Sequence, residues 1–237
     1  MILAILRTAW HFQSAESPAM VDFSRFTDLL FADQTLEELL SRADRIDLPT
    51  QSGTWTDLIE AAVCLRGKDH ARASELLLKI AASSNVETRV LLWSWTALRT
   101  LGVQPKAHEA TQIQGVVIRV PMAGGFDVLA AYSDGTARYV NHSGKVIVWD
   151  LADAQVGAQI SRVLDSARNL ETIDAPRNRS NWPNDDIVRV ALLTLNGNRL
   201  AEVEMRSLRA SPISSVLTVA AELMANLIGR AQVTKPQ

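Results

Sequence analysis

Gln112-Ile113-Gln114-Gly115-Val116-Val117-Ile118-Arg119-Val120-Pro121 is the stretch on which the fold turns. Before it, apolar residues recur at every third or fourth position, as on one face of a helix. From about Ala110 they crowd into short β-branched runs broken by turn residues, which is how strands read. Gly124-Gly125 interrupts the run, and Phe126 to Tyr132 reads as its returning strand. Asp134-Gly135 is a hairpin turn into Arg138-Tyr139-Val140, and Ser143-Gly144 is another into Lys145-Val146-Ile147-Val148-Trp149. Four consecutive short strands joined by tight turns predict an antiparallel meander.

Downstream, Val156, Ile160, Val163, Leu164 and Ala167 share one side of a helix expected from Ala152 to about Leu170. A polar loop, Asp174 to Asp186, precedes an apolar strand, Ile187 to Leu195. After the Asn196-Gly197 turn, Leu200 to Ser207 reads as a strand: Ala201, Val203 and Met205 alternate with Glu202, Glu204 and Arg206, so one face is wet there. Ser211 as N-cap and Pro212 at the first helical position open a final helix. Ser215, Thr218, Glu222, Asn226 and Arg230 make one narrow polar stripe, and apolar residues cover most of the rest from Ile213 to Ile228. A helix that apolar is buried on more than one side, so it is expected to lie against the sheet and to meet either the helical front or, as a protein partner, a second subunit.

Upstream, Thr35 and Glu38 have capping-box spacing ahead of Leu36, Leu39, Leu40 and Ala43. Pro49 to Gly53 is a break. Helices are then expected over Thr54 to Leu65, Ala71 to Ala82 and Val86 to Leu101, the last stopped by Gly102 with Pro105 beyond. Short loops between them imply antiparallel hairpins. Cys64 to Leu77, with Gly67, Asp69 and an alanine-rich second helix, resembles the inter-helix turn of a tetratricopeptide hairpin. The resemblance covers one hairpin, has no second copy at the repeat period, and implies helix–turn–helix geometry alone. Trp93 and Trp95 leave their helix on different sides, and structural roles are expected for both.

The reading is therefore an α+β fold, with N-terminal antiparallel helical hairpins followed by an antiparallel meander sheet packed by two helices, in the order ββββ-α-ββ-α. It divides into a helical region, 1–106, and an antiparallel α+β domain, 107–237. A 237-residue chain with 47% apolar and 21% charged residues has an ordinary globular composition. Its net charge of −2 argues against nucleic acid or an anionic membrane as partner. The lone cysteine, Cys64, forms no intramolecular disulfide and reads as a small buried hydrophobe. Met1 to Arg7 is apolar but short and reads as a core element. No run approaches the roughly 18 unbroken apolar residues of a membrane span, so a cytoplasmic location is expected.

Motifs with a known chemical mechanism are missing from the sequence: no phosphate-binding glycine loop, no HExxH, no GxSxG and no zinc-ligand spacing. No cofactor, metal or catalytic residue is expected. Gly124-Gly125 reads as a turn. Of His11, His70, His108 and His142, only the last sits at a hairpin end, within reach of Asp127 or Asp134. In the loop, Arg177 and Arg179 could hold a phosphate or carboxylate, and Trp182 could anchor a partner or tuck onto the core. The candidate ligand- or partner-binding residues are Arg177, Arg179, Trp182, Asp134 and His142. The leading functional expectation is a non-enzymatic interaction or assembly protein. The alternative is a small-ligand-binding or hydrolytic protein with its site between the helical region and the sheet.

Overall fold

The computed structural model describes residues 27–43, 53–176, 182 and 185–233. Met1 to Arg7, His11, Arg177 and Arg179 lie outside the described residues. Helices α1 (Leu36–Ala43), α2 (Gly53–Arg66), α3 (His70–Ala81) and α4 (Thr88–Thr100) come first, then a single turn, α5 (Ala107–Ala110). Strands β1 (Ile113–Met122), β2 (Gly125–Tyr132), β3 (Ala137–Val140) and β4 (Val146–Trp149) follow, then α6 (Ala154–Ala167). The chain continues through β5 (Ile173–Asp174), β6 (Ile187–Thr194), β7 (Gly197–Glu204), a 3-10 helix (Met205–Ala210) and α7 (Ile213–Val233). The strands form one antiparallel sheet in the order β4-β3-β2-β1-β6-β7-β5. This is the α+β meander architecture expected from the switch in spacing near position 110.

Local chemistry explains the element ends. Thr35 and Glu38 close a reciprocal box at α1: Thr35 N–H donates to Glu38 Oε2 (2.8 Å) and Glu38 N–H to Thr35 Oγ1 (3.2 Å). Asp69 caps α3 by accepting from Arg72 N–H (3.1 Å), next to a left-handed Lys68 at the hairpin turn. Beyond α4, Gly102 adopts φ +82° while Val103 N–H reaches Leu98 O and Gly102 N–H reaches Arg99 O. That is the paired-bond stop for which glycine suits the left-handed position. In β1, a Cβ at Gly115 would sit 2.9 Å from the Tyr132 ring and 3.1 Å from Leu193, so only glycine admits the close approach of β2 and β6.

Successive side chains in a strand point to opposite faces, and each face is covered by helices. On one face, Val117, Ala130, Tyr132, Ala191 and Leu193 join a single apolar cluster with residues of α1 to α4, including Trp55, Leu77 and Trp93. On the other, Val116, Ile118, Leu129, Val190 and Ala201 pack with Val156, Ile160 and Val163 of α6 and Val216, Leu217 and Leu223 of α7. Trp93 and Trp95 are both buried on the helical side, and Trp93 Nε1–H donates to Gln34 Oε1 (3.1 Å). Cys64 is half-buried against the same cluster.

Two details differ from the periodicity reading. Residues 205–207 belong to a 3-10 helix: β6 begins at Ile187, the paired residues end at Glu204, and after one last in-register bond from Met205 N–H to Asp186 O (2.7 Å) the backbone winds into the 3-10 turn. The start of the polar segment forms β5, which pairs Ile173 and Asp174 with Leu200 and Arg199.

α7 has the length and mean hydropathy of a membrane-crossing helix. A core helix meets the same description, and here Ile213, Val216, Leu217, Ala220, Leu223, Met224 and Leu227 are buried against the sheet and α6. Its polar stripe is committed too: Glu222 accepts from Arg162 (2.8 Å), Asn226 donates to Gln159 (2.7 Å), and Arg230 pairs with Asp153 (2.7 Å). The chain itself thus covers one side of the helix Ile213 to Ile228, against the sheet and α6.

Candidate functional site

The two hairpin-end residues singled out in the sequence, Asp134 and His142, occupy different places. Asp134 Oδ2 accepts from Thr88 N–H (2.7 Å), and its Oδ1 accepts from Thr136 N–H (2.9 Å) and Thr136 Oγ1–H (2.8 Å). It stitches the β2–β3 turn to the first turn of α4. His142 instead meets Asp127, whose side chain is almost wholly buried. His142 Nδ1 lies 2.9 Å from Asp127 Oδ1, His142 N–H donates to the same oxygen (2.7 Å), and Tyr139 O–H donates to Oδ2 (2.7 Å). A carboxylate orienting an imidazole is half of a catalytic constellation, but hydrolysis by nucleophile also needs an attacking group bonded to the free ring nitrogen. Both hydrogen bonds of His142 run to Asp127. The network ties the β3–β4 turn to the start of β2, where Gly125 leaves room for the His142 backbone at 3.3 Å from a would-be Cβ.

Trp182 lies where the helical region meets the sheet. It makes an edge contact with Phe31, ring centroids 5.9 Å apart. Arg119 and Arg189 face the Trp182 ring at 5.4 Å and 4.9 Å, and Arg119 stacks on Phe126 at 3.2 Å. Phe126, Arg119, Trp182 and Arg189 therefore form a ladder of alternating ring and cation, an arrangement favoured when the cations are partly desolvated.

The two arginines are direct cross-strand neighbours on β1 and β6. Their surroundings are unequal. Arg189 donates to both oxygens of Asp185 (2.8 and 2.7 Å) and to Glu202 (2.7 Å). Those hydrogen bonds hold the Asp185 carboxyl below its ordinary range. Among the described residues Arg119 makes no hydrogen bond or ion pair, and its Nη1 is sealed from solvent without a partner. Burial and then the neighbouring Arg189 bring its guanidinium down to about 10, so it still carries charge at neutral pH.

Neither arginine was among the sequence candidates. The signal available was a charged residue inside an apolar strand, Ile118-Arg119-Val120 and Val188-Arg189-Val190, since a buried polar group is more informative than an exposed apolar one.

A third feature is the β4 edge. β4 pairs with β3 on one side and, among the described residues, ends the sheet on the other. Val146 and Val148 are 41% and 53% exposed, and Leu151 just beyond is 67% exposed. β3, one strand inward, is buried at all four positions, so the exposure belongs to the edge itself.

Two open clefts lie elsewhere on the described surface. One, of about 750 Å³, lies between the β6–β7 turn and the C-terminal end of α6, with Arg168, Thr172, Thr194 and Arg199 among its lining. The other, of about 880 Å³, runs along Asp186, Met205 and Leu208 beside the 3-10 helix. Neither is lined by Asp134, His142 or Trp182. Comparison of the chain with protein-family models, with curated proteins and with solved structures returned no match.

Proposed function

We propose that this protein is a non-enzymatic interaction or assembly protein, and that it works by self-association through the β4 edge. The observation that carries this reading is the exposed apolar strand at the end of the sheet. An edge strand offers a row of unpaired backbone N–H and C=O groups, and soluble proteins usually blunt such edges with charge, proline or a covering element. Here the outward positions are Val146 and Val148, with Leu151 continuing the apolar surface.

The occupant argued for is a second copy of the same strand. A two-fold axis between the two copies of Ile147, normal to the sheet, would run the edges antiparallel with matching faces. Val146 of each copy would then lie opposite Val148 of the other. Cross-strand β-branched pairs are favourable in that geometry, and a net charge of −2 offers little long-range repulsion.

Light scattering over a concentration series tests the reading. The wild type is expected to shift toward dimer as concentration rises, and Val148→Lys to remain monomeric with an unchanged circular-dichroism spectrum. A wild type that stays monomeric throughout, or a dimer that Val148→Lys leaves intact, refutes self-association through β4.

A further inference from the structure

We propose that Arg119 is the core of a binding site for an oxyanion, a carboxylate or phosphate group carried by a small ligand, at the junction of the helical region and the sheet. Four observations lead there. First, Arg119 and Arg189 stand directly opposite each other on adjacent central strands. Like charges in that relation repel and are destabilising unless something intervenes.

Second, the protein's own carboxylates hydrogen-bond only one of the two. Asp185 and Glu202 both bind Arg189, while Arg119, which feels the Asp185 charge at a distance, has neither an ion pair nor a hydrogen bond among the described residues. Third, a buried polar nitrogen without an acceptor, such as Arg119 Nη1, is a costly arrangement that native structures rarely keep without a use. Fourth, the stacking directs what the site can take. Phe126 and Trp182 occupy positions over the guanidinium, so its remaining capacity lies in its own plane. The N–H groups of arginine form a fork there, matched to the two oxygens of a carboxylate or phosphate. The site is built on β1 and β6, the paired strands at the middle of the sheet, which fixes the fork rigidly.

The experiment is thermal unfolding of the full chain with added inorganic phosphate or with benzoate, against chloride at equal ionic strength. The two arms separate a phosphate ligand from an aromatic carboxylate. In the wild type at least one oxyanion is expected to raise the melting temperature in a concentration-dependent way, and Arg119→Met is expected to abolish the rise. Without ligand, Arg119→Met should melt at or above the wild-type temperature, because it removes a guanidinium that faces Arg189 with no hydrogen-bond acceptor of its own and leaves an apolar side chain against Phe126 and Trp182. Arg119→Lys, which keeps the charge and loses the fork, should need about tenfold more oxyanion for the same rise. If neither oxyanion moves the wild type, or if Arg119→Lys responds as the wild type does, the site does not exist. An unliganded Arg119→Met that loses as much stability as Arg189→Met, or fails to fold, would make Arg119 a structural residue and overturn the proposal.

Discussion

Asp127 shows how much one buried side chain can organise. It accepts hydrogen bonds from a phenol, a backbone amide and an imidazole, which belong to β3 and to the turn after it. Asp127→Ala leaves the Tyr139 hydroxyl and the His142 amide without an acceptor, and a cost of about 2–4 kcal/mol is expected, read from the urea unfolding midpoint. The same network makes stability depend on pH at the alkaline end. Burial and then the Asp127 charge push the Tyr139 phenol well above the ordinary tyrosine range, and burial does the same for Tyr132. Because the folded state holds these protons more tightly than the unfolded chain, their contribution is whole below about pH 10 and is lost as pH rises further. Tyr139→Phe should therefore flatten the fall of melting temperature between roughly pH 10 and 12. The His142–Asp127 contact was within reach of sequence reasoning because one short hairpin brings the two together. The Arg119–Arg189 pair was not. Each arginine looked like an ordinary interruption of a strand until the β1–β6 register set them face to face.

At the scale of elements, Asp134 joins two that the sequence presents as separate. Its carboxylate accepts from Thr88 N–H at the start of α4, as an N-cap side chain would, although it comes from the β2–β3 turn. Asp134→Ala should lower stability by about 1 kcal/mol, measurable as a fall in melting temperature, with Asp134→Asn recovering part of it. The helices and strands were themselves largely legible, because both periodicities are local and the stops are chemical: Gly102 after α4, Asp69 before α3 and Gly135 between β2 and β3 adopt the roles their residue types favour. The misreading falls at a strand end. The alternation continues past Glu204 in the sequence, yet the partner strand begins at Ile187, and after one in-register bond from Met205 to Asp186 the backbone winds into the 3-10 turn.

For the molecule as a whole, the division expected at 106/107 crosses a shared core. Trp55, Leu77 and Trp93 of the helical region and Val117, Tyr132 and Leu193 of the sheet belong to one apolar cluster, and Tyr132 O–H donates to Leu30 O across it at 2.7 Å. Burial shared in this way couples the two regions, so a single unfolding transition is expected. Far-ultraviolet circular dichroism and tryptophan fluorescence should give coincident urea midpoints, and Leu77→Ala should shift both together by about 2–5 kcal/mol. Two separated transitions would mean that the regions fold independently.

What the sequence determined alone is the class of each segment and the order of segments, since helix and strand periods and turn chemistry act over a few neighbouring residues. What needed the tertiary structure is everything set by contact between distant segments: the strand order that places β1 beside β6, the covering of α7 by the sheet and α6, the exposure left on β4, and the arginine without a partner. The physical reason is range. Backbone preference is written into adjacent residues, whereas burial and charge compensation depend on which surfaces meet once the chain has closed.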